Sequence, residues 1–95
     1  MPAYVVTVIE VTDAEGFARY RELVAGTIDT FGGRYIARGG VNAVLEGDWN
    51  PERVVIAEFP SVEQARAWWH SPAYAAAKAQ RQQAAHTEMI IVEGI

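Results

Sequence analysis

Ala3-Tyr4-Val5-Val6-Thr7-Val8-Ile9-Glu10-Val11 is the stretch whose reading decides the fold. Its Val and Ile content reads as a β-strand. The two alternating sets are both apolar: Val5, Ile9 and Val11 on one side, Tyr4, Val6 and Val8 on the other. A strand apolar on both sides is covered on both faces. Two later segments share this property: Glu52 to Phe59 sets Val55 beside Ile56, and Glu88 to Glu93 sets Ile90 beside Ile91.

Helical signals separate these strands. Thr12-Asp13-Ala14-Glu15 reads as a capping box with Thr12 as N-cap. Phe17, Tyr20, Val24, Ile28 and Phe31 then recur near the 3.6-residue period, and Gly32-Gly33 is expected to end the helix. A second helix starts with Ser61 as N-cap and Gln64 at the capping-box position. It breaks at His70-Ser71-Pro72 and restarts, with Ser71 as a new N-cap and Pro72 at N1. The restarted piece, Ala73 to about Ala85, is alanine-rich, which lets a helix approach a sheet closely.

Arg34 to Arg38 reads as another strand, followed by Gly39-Gly40 and Val41 to Glu46. The two glycines make either a hairpin turn or a bulge in one long bent strand. The bulge is preferred, because it keeps strand parity compatible with two crossover helices on one face.

The order βαββαβ predicts a ferredoxin-like α+β domain, residues 1–95, with a four-stranded antiparallel sheet and both helices on one face. A one-sided sheet should alternate apolar and polar residues, and three of these strands do not. The open face therefore needs cover that the chain does not encode, since each buried Val or Ile contributes about 1.5–3 kcal/mol. A second copy packing sheet against sheet is the simplest cover, and a homodimer is expected.

Composition narrows the function. Of 95 residues, 12 are acidic and 8 are Lys or Arg, a net charge of −4 that argues against a nucleic-acid partner. There is no cysteine, so neither disulfides nor thiolate chemistry is expected. No apolar run approaches the ~18 residues of a membrane span, and Met1-Pro2-Ala3-Tyr4 lacks the charged start of a signal peptide. A soluble cytoplasmic domain, with no membrane partner, is the expectation.

The segments Gly33 to Gly40, Leu45 to Trp49, Glu58 to Ala65, Ser71 to Tyr74 with Arg81, and Ile91 to Gly94 together resemble the bacterial domain of unknown function 1330 family, within the dimeric α/β-barrel superfamily. That family usually has Asp-Pro after its first strand, where this chain has Asp13-Ala14. The resemblance implies a ferredoxin-like protomer whose sheet pairs face to face in a dimeric barrel. It implies no reaction, because relatives in the superfamily include cofactor-free monooxygenases, muconolactone-type isomerases and heme-degrading enzymes.

Standard catalytic signatures are missing. Neither GxGxxG, a phosphate-loop Lys-Ser/Thr nor GxSxG occurs. His70 and His86 are too far apart for a helical ligand pair, and no metal or tightly bound cofactor is expected.

Charged residues inside apolar strands are the better candidates: Glu10, Arg38, Glu46 and Glu58. Glu10 and Glu46 lie near strand ends, where water satisfies them. Arg38 and Glu58 are the catalytic candidates, Arg38 to anchor an anionic group and Glu58 to act as acid or base; the bland alternative is that they pair with each other. Tyr74, Lys78 and Arg81 share a helical stripe. From it, Tyr74 and Arg81 are candidates to orient a ligand, against a plain solvated face. Trp49 is the last ligand-binding candidate, although for it and Trp68-Trp69 a place as core or dimer anchors is the preferred reading. A cofactor-free enzyme acting on a small anionic or aromatic metabolite is one expectation; a non-catalytic ligand-binding or regulatory dimer is the other.

Overall fold

The structure, a computed structural model, describes residues 1–95. β1 (Ala3–Val11) leads into α1 (Ala14–Val24) and the single turn α2 (Thr27–Thr30). β2 (Arg34–Arg38) and β3 (Arg53–Phe59) follow, then α3 (Val62–His70), α4 (Pro72–Ala84) and β4 (Ala85–Glu93). The strands form one antiparallel sheet in the order β2-β3-β1-β4, the ferredoxin-like α+β arrangement expected from the element order.

Burial separates the two faces of the sheet. Ala3, Val5, Thr7 and Ile9 lie under the helices with Ala57 and Phe59, all buried. Their alternates Tyr4, Val6 and Val8 are only half-covered. Register continues this open face: Val6 stands between Ile56 and Ile90, and Tyr4 beside Val92. Ile90 and Val92 remain 58% and 44% exposed, so the apolar back of the sheet is uncovered within one protomer.

The capping expectations divide. Ser61 and Ser71 accept from the backbone N–H groups of Gln64 and Tyr74 at 3.1 and 3.2 Å, as the sequence indicates. At the first helix the cap is Asp13 rather than Thr12, its carboxylate accepting from Gly16 N–H at 3.1 Å. A carboxylate at this position also meets the positive end of the helix, which favours Asp13 over the threonine before it.

Three boundaries differ from expectation. The first helix does not run through to Gly32: it stops at Val24, and Gly26, at φ 81°, turns the chain into α2. Only a residue without Cβ takes that φ without strain. The Thr27 hydroxyl then closes the break, donating to Val24 O at 2.8 Å and accepting from Trp68 Nε1 at 3.1 Å. β4 begins at Ala85 rather than Glu88, pairing Ala85, His86 and Thr87 with the end of β1.

The third difference concerns the glycine pair. Gly39 N–H still donates to Val54 O at 2.9 Å, but Val41 to Glu46 form no strand; the chain leaves the sheet there and returns at Arg53. Gly39-Gly40 is thus neither a bulge nor a tight hairpin turn but the start of an exposed loop. The bulge lies earlier in β2, where Tyr35 faces Ala57 and Ala37 faces Ile56, leaving Ile36 unpaired.

The alanine-rich helix α4 packs chiefly against α1 rather than on the sheet. Gln80 Nε2 donates to Gly16 O at 3.1 Å, and Ala77 and Ala84 are buried. Small side chains let the two helices approach closely. Trp68 turns inward onto Phe59 and Tyr74, at 5.5 and 4.1 Å between ring centroids. Trp69 turns outward beneath the Lys78 ammonium at 3.6 Å.

Candidate functional site

A cavity of about 90 Å³ lies between the helix face of the sheet and the helices α1, α2 and α3. Its walls are mainly apolar, with Val5, Ile9, Val55, Val24, Ile28 and Trp68 among them. The polar and phenolic residues of the lining are Thr7, Tyr20, Tyr35 and three arginines, Arg21, Arg38 and Arg53. No Asp, Glu, His, Ser or Lys lines the cavity.

The bulge in β2 supplies two of these six residues, Tyr35 and Arg38. Tyr35 and Arg38 are three residues apart, so a regular strand would point them to opposite faces. With Ile36 looped out, Tyr35 faces Ala57 and Arg38 faces Val55, both on the helix side. The Arg38 guanidinium then lies 4.7 Å over the Tyr35 ring. Arg53, opposite Ile9 at the start of β3, is half-buried with its guanidinium 5.4 Å from the Phe17 ring centroid. Arg21 reaches the cavity from the last turn of α1. None of the three pairs with a carboxylate; the chain's one ion pair is Arg34–Glu58.

The phenols are tuned by their surroundings. Burial pushes the Tyr20 hydroxyl well above the ordinary tyrosine range, and the adjacent Tyr74 hydroxyl raises it further. Burial also raises Tyr35, with the Arg38 guanidinium acting in the opposite direction. At neutral pH both are uncharged hydrogen-bonding groups. The site therefore offers positive charge, two phenols and an apolar body, and no side-chain base. That combination is chemically suited to an anion carried on an apolar frame.

The sequence candidates separate accordingly. Arg38 lines the cavity. Glu58 stands on the opposite face of the sheet, opposite Arg34 in register and bonded to it, with Arg34 Nε donating to Glu58 Oε1 at 2.9 Å. The expected partnership of Arg38 with Glu58 is therefore not made within a protomer. Tyr74 and Arg81 are buried behind the cavity wall: Arg81 Nε donates to the Tyr74 hydroxyl at 3.3 Å, and Tyr74 touches Tyr20, which does line the cavity. Trp49 is 69% exposed in the loop after Gly39 and is not among the residues that line the cavity. Glu10, Glu46 and His86 are also exposed, and no three His, Asp or Glu side chains gather as a metal site.

Arg53, Tyr20, Tyr35 and Arg21 are the cavity residues that sequence reasoning missed. Tyr20 reads as one more member of an apolar stripe. Arg53 shares the parity of Val55 and Ala57, a signal that was present. Tyr35 and Arg38 carry no such signal, because the bulge that unites them is invisible in residue types.

The family model described as a domain of unknown function, DUF1330, matches residues 2–95. The chain belongs to this family. No curated protein matches it. Among solved structures, this DUF1330 chain is similar to a protein of unknown function from Rhodopseudomonas palustris, with 23% identity, a TM-score of 0.77, and coverage of 99% of this chain and 82% of that one. A dimeric ferredoxin-like protein of unknown function from Jannaschia sp. CCS1 is 15% identical, with a TM-score of 0.73 over 99% of this chain and 100% of that one. SnoaB, a cofactor-independent oxygenase from Streptomyces nogalater, is 14% identical, with a TM-score of 0.59 over 99% of this chain and 93% of that one. At such identities the likeness establishes the fold.

Proposed function

We propose that this DUF1330 protein is a homodimer, paired through the open face of its sheet, that holds a small anionic metabolite with an apolar or aromatic body in the cavity between sheet and helices. The observation that carries the ligand class is the cavity itself: three arginines without carboxylate partners among apolar walls, with no acid among the lining residues. Isolated positive charge beside desolvated surface favours a carboxylate or enolate, and the guanidinium fork suits planar oxygen pairs.

The reaction best matched to these groups is cofactor-free chemistry on a substrate that ionises, of the isomerase or oxygenase kind. Guanidinium and phenol donors stabilise negative charge as it develops. The similar SnoaB, itself a cofactor-independent oxygenase, supports this reading by analogy of fold alone. One observation favours a second reading, a non-catalytic ligand-binding module: the cavity lining holds no side-chain base to accept a proton.

Calorimetric titration of the protein with a panel of small aromatic carboxylates tests the ligand class. A hydrogen bond to a charged group is worth about 1.5–3 kcal/mol, so Arg38→Ala and Arg53→Ala should each weaken binding roughly tenfold to a hundredfold. Equal affinity of both variants and the wild type would remove the assignment. Turnover of any bound compound, without added metal or cofactor, separates the enzyme from the binding module.

A further inference from the structure

Arg81 is a buried cation without a counterion. It is 3% exposed, and its guanidinium is held by two neutral hydroxyls, those of Tyr74 and Thr87. Taking a charge out of water is costly unless an opposite charge accompanies it. The groove along β4 in which Arg81 stands also holds Arg66 and His70, together with the apolar Trp69, Ile90 and Ile91, and no carboxylate lines it.

The loop from Gly39 to Glu52 is the complement of this groove. It contains Glu46, Asp48 and Glu52 and no Lys, Arg or His. Three of its apolar side chains stand largely in solvent: Val41 is 105% exposed, Leu45 96% and Trp49 69%. The returning end of the loop, Trp49 to Glu52, borders Val8, Glu10, His86 and Glu88, residues at one end of the open face. The loop thus rises on the side of the sheet where a second copy is expected. Exposed apolar residues with acids between them, set against an apolar groove with three basic groups, form a matched pair of surfaces.

We infer that the acidic loop of one protomer docks into the basic groove along β4 of a second copy, so that Glu46 and Asp48 supply the carboxylates that Arg81 and Arg66 lack in their own chain. The docking rests on the homodimer proposed above and adds a specific contact to it. Leu45 and Trp49 pack against the groove's Trp69, Ile90 and Ile91, and carboxylate–guanidinium pairing fixes the register. Arg81 in turn holds Tyr74, which touches Tyr20 in the cavity wall, so each cavity is braced by the partner's loop.

The absence of native cysteine makes this testable by cross-linking. Asp48→Cys and Gln82→Cys are each made singly, at exposed positions of the loop and the groove. Mixed in equal amounts and mildly oxidised, they should give a disulfide-linked heterodimer in clear excess over either homodimer on a non-reducing gel. The double variant should give covalent dimers rather than an internally closed monomer. Random pairing in the mixture, or an internal disulfide in the double variant, would overturn the docking. Sedimentation of the wild type distinguishes the two failures: a monomeric wild type removes the dimer itself, whereas a dimer without the cross-link removes only the loop docking.

Discussion

Arg34 and Glu58 face each other across β2 and β3 at 2.9 Å, on the side of the sheet away from the cavity. The Arg34 side chain is 73% exposed and that of Glu58 25%, so solvent screens the pair and it contributes no more than about 1 kcal/mol.

Glu58→Gln should accordingly leave ligand affinity within about twofold and shift a urea midpoint by the equivalent of less than ~1 kcal/mol. Calorimetry and urea unfolding read both quantities. A loss of binding or turnover in this variant would return Glu58 to the chemistry and contradict the separation of the two faces.

Deleting Ile36 removes the bulge and restores regular alternation in β2. Tyr35 and Arg38 then stand two residues apart, so regular alternation keeps both on the cavity side. The expected result is a folded protein whose ligand affinity stays within about threefold of the wild type, unlike Arg38→Ala. A loss as large as that of Arg38→Ala, with an unchanged circular dichroism spectrum, would contradict the placement of Tyr35 and Arg38 on one face.

Alkaline stability follows from Tyr20. Its folded-state pKa lies above the unfolded value of 10.0, so the native state keeps a proton that the unfolded chain loses. Its contribution is fully present below about pH 10 and declines above it, with a slope of up to ~1.4 kcal/mol per pH unit. Tyrosinate absorbance from Tyr20 should appear together with unfolding. Reversible ionisation of every tyrosine near pH 10 in the folded protein would contradict the burial assigned to Tyr20.

Much of the fold was legible because periodicity records burial. Val55 and Ile56, side by side, could not both face the helices, and the structure turns Val55 inward and Ile56 outward. Ser61 and Ser71 announced two helix starts through their capping chemistry. The break at Gly26 was hidden because Phe17 to Phe31 keep an apolar stripe across it, and the stripe says nothing of backbone φ. The site was less legible. Arg38 was visible as a charge in an apolar run, but Glu58 had the same appearance on the other face, and only strand register distinguishes them. Arg81 showed as part of a helical stripe, while its burial depends on Tyr74 and on Thr87 from the next strand.

The uncovered apolar face of the sheet, from Val6 and Ile56 to Ile90 and Val92, is the feature on which the dimer and the loop docking both stand. Sedimentation equilibrium at micromolar concentration tests it most directly. The expected result is a single species of twice the 10.4 kDa chain mass. Substituting Ile90→Lys should split that species into monomers without unfolding them. A well-folded, soluble wild-type monomer at the same concentration would contradict the claim.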